Sequence, residues 1–204
     1  RQMCIRDRAN IADFKANMTG GGARPNQFRV DLQFPSYVTG GRVAAVQGQF
    51  LCKAAQLPAS TLENLPIQYR GRAVNFAAER TFAPWTITVY NDTDFGIRNA
   101  IERWQNGIQE YATTEGRTNP ADYQADLIVT QLDRNGAGVK QYKFVDAFPL
   151  SIGIVQLDYD TTNAIETFDV EWQYNFFTSN TSESGGLGVN VSIDTPIGSF
   201  PINI

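Results

Sequence analysis

The sequence predicts a mainly β protein: two packed antiparallel sheets forming a sandwich or a partly closed barrel, with one flanking amphipathic helix. Three observations predict it. The 204 residues include thirteen Phe and eight Tyr alongside many Thr, Val and Ile, the side chains that fit a pleated, half-buried surface. Several segments alternate apolar and polar residues with a period of two, the strand repeat. One segment stands out with an apolar stripe at helical spacing.

The elements follow in chain order. Phe28, Val30, Leu32 and Phe34 alternate with Gln27, Arg29, Asp31 and Gln33, a half-buried strand that Pro35 ends. Residues 50–57 read as a strand stopped by Pro58. Two extended stretches, 67–70 and 72–76, flank Gly71 at a turn or bulge. Trp85, Ile87 and Val89 on one face and Thr86, Thr88 and Tyr90 on the other make the next strand.

The helix comes after it. Residues 91–94 offer Asn and Asp as N-cap candidates, and Ile97, Ile101, Trp104 and Ile108 then recur at spacings of four, three and four, ending near Tyr111. That stripe is a core-packing face, with a subunit interface as the alternative.

The last third is strand-rich. Residues 127–132 and 139–144 form a hairpin through Asn135-Gly136, a strong turn signal. Pro149 interrupts, and residues 152–157 resume the strand. From Ile165 to Phe176 the even-numbered residues Phe168, Val170, Trp172 and Tyr174 carry the bulk and face a core.

With 42% hydrophobic residues the chain suits one sizeable domain. No apolar run approaches the ~20 residues of a membrane-spanning helix, so the expectation is a soluble protein with no membrane partner. The charge balance is 17 Lys and Arg against 21 Asp and Glu, a net of −4. Residues 1–8 show neither periodicity nor turn chemistry and read as a non-native leader. Setting aside Arg1, Arg6, Arg8 and Asp7 leaves 14 basic against 20 acidic residues, a net of −6. Such a chain is a poor clamp for nucleic acid phosphates. Residues 9–25, with three glycines, read as a flexible arm, 26–178 as the β domain, and 179–204 as a Gly/Ser linker and tail of unassigned role.

The chemistry of catalysis finds little to stand on. Without histidine, Ser-His and Cys-His nucleophile pairs and most zinc sites are excluded. Cys4 and Cys52 form no Cys-x-x-Cys pair, and Cys52 lies among apolar and small neighbours, so it reads as structural. Asp158 and Asp160 could hold a cation or act as acid and base, but the following Thr161-Thr162-Asn163 favours a solvated turn. The triple glycine at 20–22 lacks the Lys-Ser/Thr of a phosphate loop. Two sequons, at Asn17 and Asn91, have no secretory context. No catalytic, cofactor or metal residue is assigned. Arg70-Gly71-Arg72 beside Tyr69 could touch nucleic acid; in an acidic chain inter-subunit ion pairs are favoured.

One series of blocks goes further. Tyr69-Arg70-Gly71-Arg72 is followed by Arg80-Thr81-Phe82-Ala83-Pro84-Trp85-Thr86-Ile87-Thr88-Val89-Tyr90-Asn91-Asp92 and by Phe95-Gly96-Ile97-Arg98-Asn99-Ala100-Ile101-Glu102-Arg103-Trp104. Then come Gln131-Leu132-Asp133-Arg134, Phe148-Pro149-Leu150-Ser151-Ile152 and Glu166-Thr167-Phe168-Asp169-Val170-Glu171-Trp172-Gln173-Tyr174. In this order the blocks resemble the tail tube proteins of T4-like contractile-tailed phages, over roughly residues 11–178.

The resemblance implies a structural subunit and no enzyme: hexameric rings stacked into a tube inside a contractile sheath, with DNA passing down the bore. It also implies contacts with sheath, tape-measure and baseplate proteins, and a place in the virion tail after assembly in the host cytoplasm. Within that frame Tyr69, Arg70, Gly71 and Arg72, with the glycine arm, are candidates for contact with the next ring. Asp169 and Glu171 are candidates for the bore, where acidity would let DNA pass without specific binding. The rival readings are the tube of a bacterial secretion or extracellular injection machine, and a β-sandwich binding module. A module would need an exposed aromatic platform, whereas Trp85, Trp104 and Trp172 all fall on faces expected to be buried.

Overall fold

A computed structural model describes residues 11–18 and 22–180; residues 1–10, which include the leader, 19–21 of the glycine arm, and the tail beyond Asn180 lie outside the described residues. In chain order the elements are α1 (Ile11–Asn17), β1 (Phe28–Asp31), α2 (Gly41–Leu51), β2 (Cys52–Ala55), β3 (Ser60–Tyr69), β4 (Arg72–Phe82), β5 (Trp85–Tyr90), α3 (Gly96–Ile108), α4 (Pro120–Tyr123), β6 (Ala125–Leu132), β7 (Gly138–Ile152), β8 (Thr167–Gln173) and β9 (Phe176–Ser179). All pairing is antiparallel. One sheet runs β1-β6-β7-β8-β5-β2 with β9 beside β7, and β3 and β4 form a separate two-stranded ribbon.

The long sheet makes its layers by turning a corner. The first part of β7 pairs with β6 and β9, and its last part pairs with β8. At the corner Asp146 takes φ 57°, and Asn175 in the bend between β8 and β9 donates from Nδ2 to its carboxylate at 3.0 Å. Both strands therefore bend together, and the two halves of the sheet face one another without closing. Trp85 of β5 stacks on Phe144 of β7 across the interior, ring centroids 4.2 Å apart. On β8 the alternation is complete: Phe168, Val170 and Trp172 are buried, while Asp169 and Glu171 are exposed.

Helix α3 lays Ile97, Ile101 and Trp104 into this interior, with Ile108 half-buried at its edge. Trp104 meets Trp172 at 5.3 Å and Phe34 at 5.4 Å. Its N-terminus is held by Asp92, whose carboxylate accepts from the Gly96 amide at 2.9 Å. Each buried tryptophan contributes on the order of 3–5 kcal/mol judged by truncation to alanine.

Four local expectations are corrected. Residues 50–57 are not one strand: α2 runs to Leu51 and only Cys52–Ala55 is extended. The buried face of α2 is Gly41, Ala44 and Gly48, small residues that let the helix lie close on Phe34 and Leu32, so no bulky stripe marked it. Pro149 does not interrupt its strand; β7 passes through it, and a register shift between Pro149 and Ser151 absorbs the missing N–H donor. Residues 152–157 do not resume a strand: β7 ends at Ile152, and after the Gly153 amide bonds the Asp169 carbonyl at 2.6 Å the chain leaves the sheet. Within the span read as an arm, Ile11–Asn17 is helical with no buried residue.

Candidate assembly surfaces

The β3–β4 ribbon is unlike the rest of the molecule. Ten and eleven residues long, its strands reach about 33 Å at the usual rise per residue, and they are exposed along almost their whole length. The tip is a two-residue turn in which Arg70 and Gly71 both have positive φ, 48° and 80°. That is the twist-matched hairpin turn, which glycine enters freely and arginine only with strain. Arg70 lies against the Tyr69 ring, 5.5 Å from its centroid. At the base Phe82 packs edge-on to Phe177 at 5.5 Å and meets Tyr174 at 6.0 Å, tying the ribbon to the core.

Register sorts the ribbon into two faces. Leu65 opposes Phe76, Ile67 opposes Val74 and Tyr69 opposes Arg72 on one side; Pro66 opposes Asn75 and Gln68 opposes Ala73 on the other. The first face is an apolar ladder, and each of its five large apolar side chains is 44–63% exposed. An isolated two-stranded hairpin is marginally stable in water, and contiguous exposed apolar surface on a soluble protein marks an interaction site. Among the described residues nothing covers this ladder.

A second apolar stripe lies on α2. Because that helix buries its small residues, Val43, Val46 and Phe50 point outward at spacings of three and four. Reading residues 50–57 as a strand hid this stripe. The spacing of Val43, Val46 and Phe50 was the signal that could have revealed it.

The outer face of β8 has the opposite character. Asp169 accepts from the Thr88 hydroxyl at 2.6 Å, and Glu171 accepts from the Ser151 hydroxyl at 2.9 Å. Each carboxylate thus accepts one hydroxyl, and Thr86 opposes Glu171 in the strand register. Among the described residues neither carboxylate forms an ion pair. The other half-sheet is mixed in sign outside: Lys143 pairs with Asp126 at 2.6 Å and Arg29 with Asp31 at 3.1 Å.

The remaining sequence candidates fall elsewhere. Ile97, Ile101 and Trp104 are inside the subunit, on the core side of α3. Cys52 is half-buried, its thiol donating to the Ala54 carbonyl at 3.4 Å, and burial pushes its pKa up to about 12. A thiol so disfavoured as thiolate is a poor nucleophile. Asp158 caps its own turn, accepting from the Asp160 amide at 3.0 Å. Among the described residues no group of three or more Cys, Asp or Glu side chains gathers as a metal site.

Comparison with known proteins agrees with a surface made for assembly. Residues 23–180 match the phage tail tube protein family. The tail tube protein gp19 of Enterobacteria phage T4 is 33% identical over 157 residues, covering 76% of this chain and 91% of that protein. The tail tube protein of Serratia phage KSP90 is 27% identical over 171 residues, 81% of this chain and 94% of that one. Among solved structures, a chain of the anti-feeding prophage baseplate shares the fold with a TM-score of 0.57 at 14% identity, over 78% of this chain and 95% of that one. The ribbon and the curled sheet it springs from both lie within the matched span, and the chain belongs to the phage tail tube protein family.

Proposed function

We propose that the chain is the structural subunit of a contractile phage tail, closing into hexameric rings that stack into the conduit for DNA. The observation that carries this reading is the projecting ribbon, whose apolar ladder has no cover among the described residues of its own subunit. Burial of such a ladder between copies would contribute the usual ~25 cal/mol per Å² of apolar area and would order a marginal hairpin. The tip Tyr69–Arg72 and the arm 9–25 reach the next ring, and the stripe Val43, Val46 and Phe50 gives a second surface for contact between copies.

Asp169 and Glu171 face the bore in this reading. Hydroxyl-bonded carboxylates without cationic partners repel phosphate and offer DNA no anchoring charge. Sheath, tape-measure and baseplate proteins are the partners, the host cytoplasm the place of assembly and the virion tail the destination. Electron microscopy of the concentrated protein tests the whole: rings or tubes are expected, and a strictly monomeric protein on a tail baseplate template would refute it. Arg70→Glu with Arg72→Glu is expected to block elongation. A reconstruction with Asp169 and Glu171 on the outer wall would remove their bore assignment.

A further inference from the structure

The loop between β7 and β8, residues 153–166, leaves four large apolar side chains in solvent. Ile154 is 80% exposed, Leu157 81%, Ile165 69%, and Tyr159 stands fully free. Together with Val155, Gln156 and Thr167 they line a cavity of about 630 Å³. Its ends are pinned. Gly153 donates to the Asp169 carbonyl at 2.6 Å and its own carbonyl accepts from Arg98 at 3.2 Å, while the Asn91 amide donates to the Glu166 carbonyl at 2.9 Å. Asp158 and Glu166 add acid to the lining, and Asp160 follows in the same loop. The occupant that fits is apolar in body and basic at its end.

The chain carries such a segment at the ribbon tip, where Ile67, Val74 and Tyr69 are followed by Arg70 and Arg72, which form no ion pair among the described residues. Topology roots the ribbon and the loop at different places in one subunit. The ribbon joins β5 at Trp85, whereas the loop joins β8 at Thr167, which pairs with Tyr90 at the other end of β5. The ribbon that carries the basic tip is rooted at one end of the strand pair, and the acidic, apolar receptor at the opposite end. Complementary patches at opposite ends generate heterologous head-to-tail contacts that repeat without closing.

We propose that the ribbon tip of one copy seats in the 153–166 cavity of the copy stacked on it. Arg70 and Arg72 meet Asp158 and Asp160, and Tyr69, Ile67 and Val74 cover Leu157, Tyr159 and Ile154. The proposal rests on the tube reading and names the receptor for its inter-ring contact.

Charge exchange tests it in the full chain, elongating from sheared wild-type tube fragments. Arg70→Asp with Arg72→Asp keeps the turn, since Asp-Gly suits it. That pair, or Asp158→Arg with Asp160→Arg, should each lower pelletable tube by roughly tenfold or more, and all four together should restore it. Absence of wild-type tubes would sink the tube reading itself. Wild-type tubes with either charge variant elongating normally would overturn only this contact, and the loop would then fit a basic segment of another tail protein. Failure of the fourfold variant to restore tubes also overturns it. If circular dichroism shows that variant misfolded, a second variant decides: Arg70→Cys with Tyr159→Cys in a chain carrying Cys4→Ser and Cys52→Ala. Oxidation of its assemblies should give a ladder of cross-linked multimers on a denaturing gel, and monomer alone would overturn the contact.

Discussion

Strands β4 and β5 are separated by two residues, and both alternate side chains across a pleat, yet they lead opposite lives. Every second residue of β5 is buried, whereas β4 is exposed almost throughout. The difference is in what stands opposite. β5 has β8 and β2 at its edges and Phe144 above Trp85, while among the described residues β4 has only β3. Amphipathic alternation states that a face will be covered; the cover can belong to the same subunit or to another.

The comparison breaks first on truncation. Trp172→Ala should cost the subunit on the order of 3–5 kcal/mol in urea unfolding. Phe76→Ala should stay within about 0.5 kcal/mol of wild type in the same assay while impairing assembly. A large loss of subunit stability from Phe76→Ala would mean that the ribbon packs on its own body.

Glycine substitutions sharpen it next. A Cβ at Gly116 would meet the Ile108 carbonyl oxygen, and Gly116→Ala should therefore destabilise the body by about 1–3 kcal/mol. A Cβ at Gly71 meets nothing within 4 Å, but its φ of 80° strains any other residue. Gly71→Ala should leave urea unfolding near wild type and lower amide protection in the ribbon alone, read as faster hydrogen exchange.

The indole hydrogen bonds give a finer contrast. Trp85 donates to the Gln56 carbonyl at 2.6 Å, whereas the Trp172 indole N–H has no partner among the described residues. Trp85→Phe should then cost about 1 kcal/mol more than Trp172→Phe by chemical denaturation. Smallest is a titration. With its pKa raised to about 12, the Cys52 thiol stays protonated at pH 8 and its thiolate appears only as pH approaches 12. In a Cys4→Ser variant, Ellman's reagent should react slowly at pH 8 and faster as pH rises.

Legibility in the sequence followed the same divide. β1, β5, β8 and α3 were readable because each buries one periodic face of large residues inside the subunit. α2 was not, since Gly41, Ala44 and Gly48 do its packing and its bulky residues point away. The passage of β7 through Pro149 depends on a bulge set by β8, which no local pattern encodes. Gly71 announced the ribbon turn, but the exposure of Leu65, Ile67, Val74 and Phe76 follows from the absence of a covering layer. Asp169 and Glu171 were legible as a polar strand face; their hydroxyl partners, Thr88 and Ser151, come from other strands and were not.

The attachment points on β5 and β8 also fix how the subunit carries force. A load applied between the ribbon and the 153–166 loop enters β5 at Trp85 and leaves β8 at Thr167, at opposite ends of the pair. The six register pairs between them are then loaded in shear, all at once, and cannot be peeled one after another.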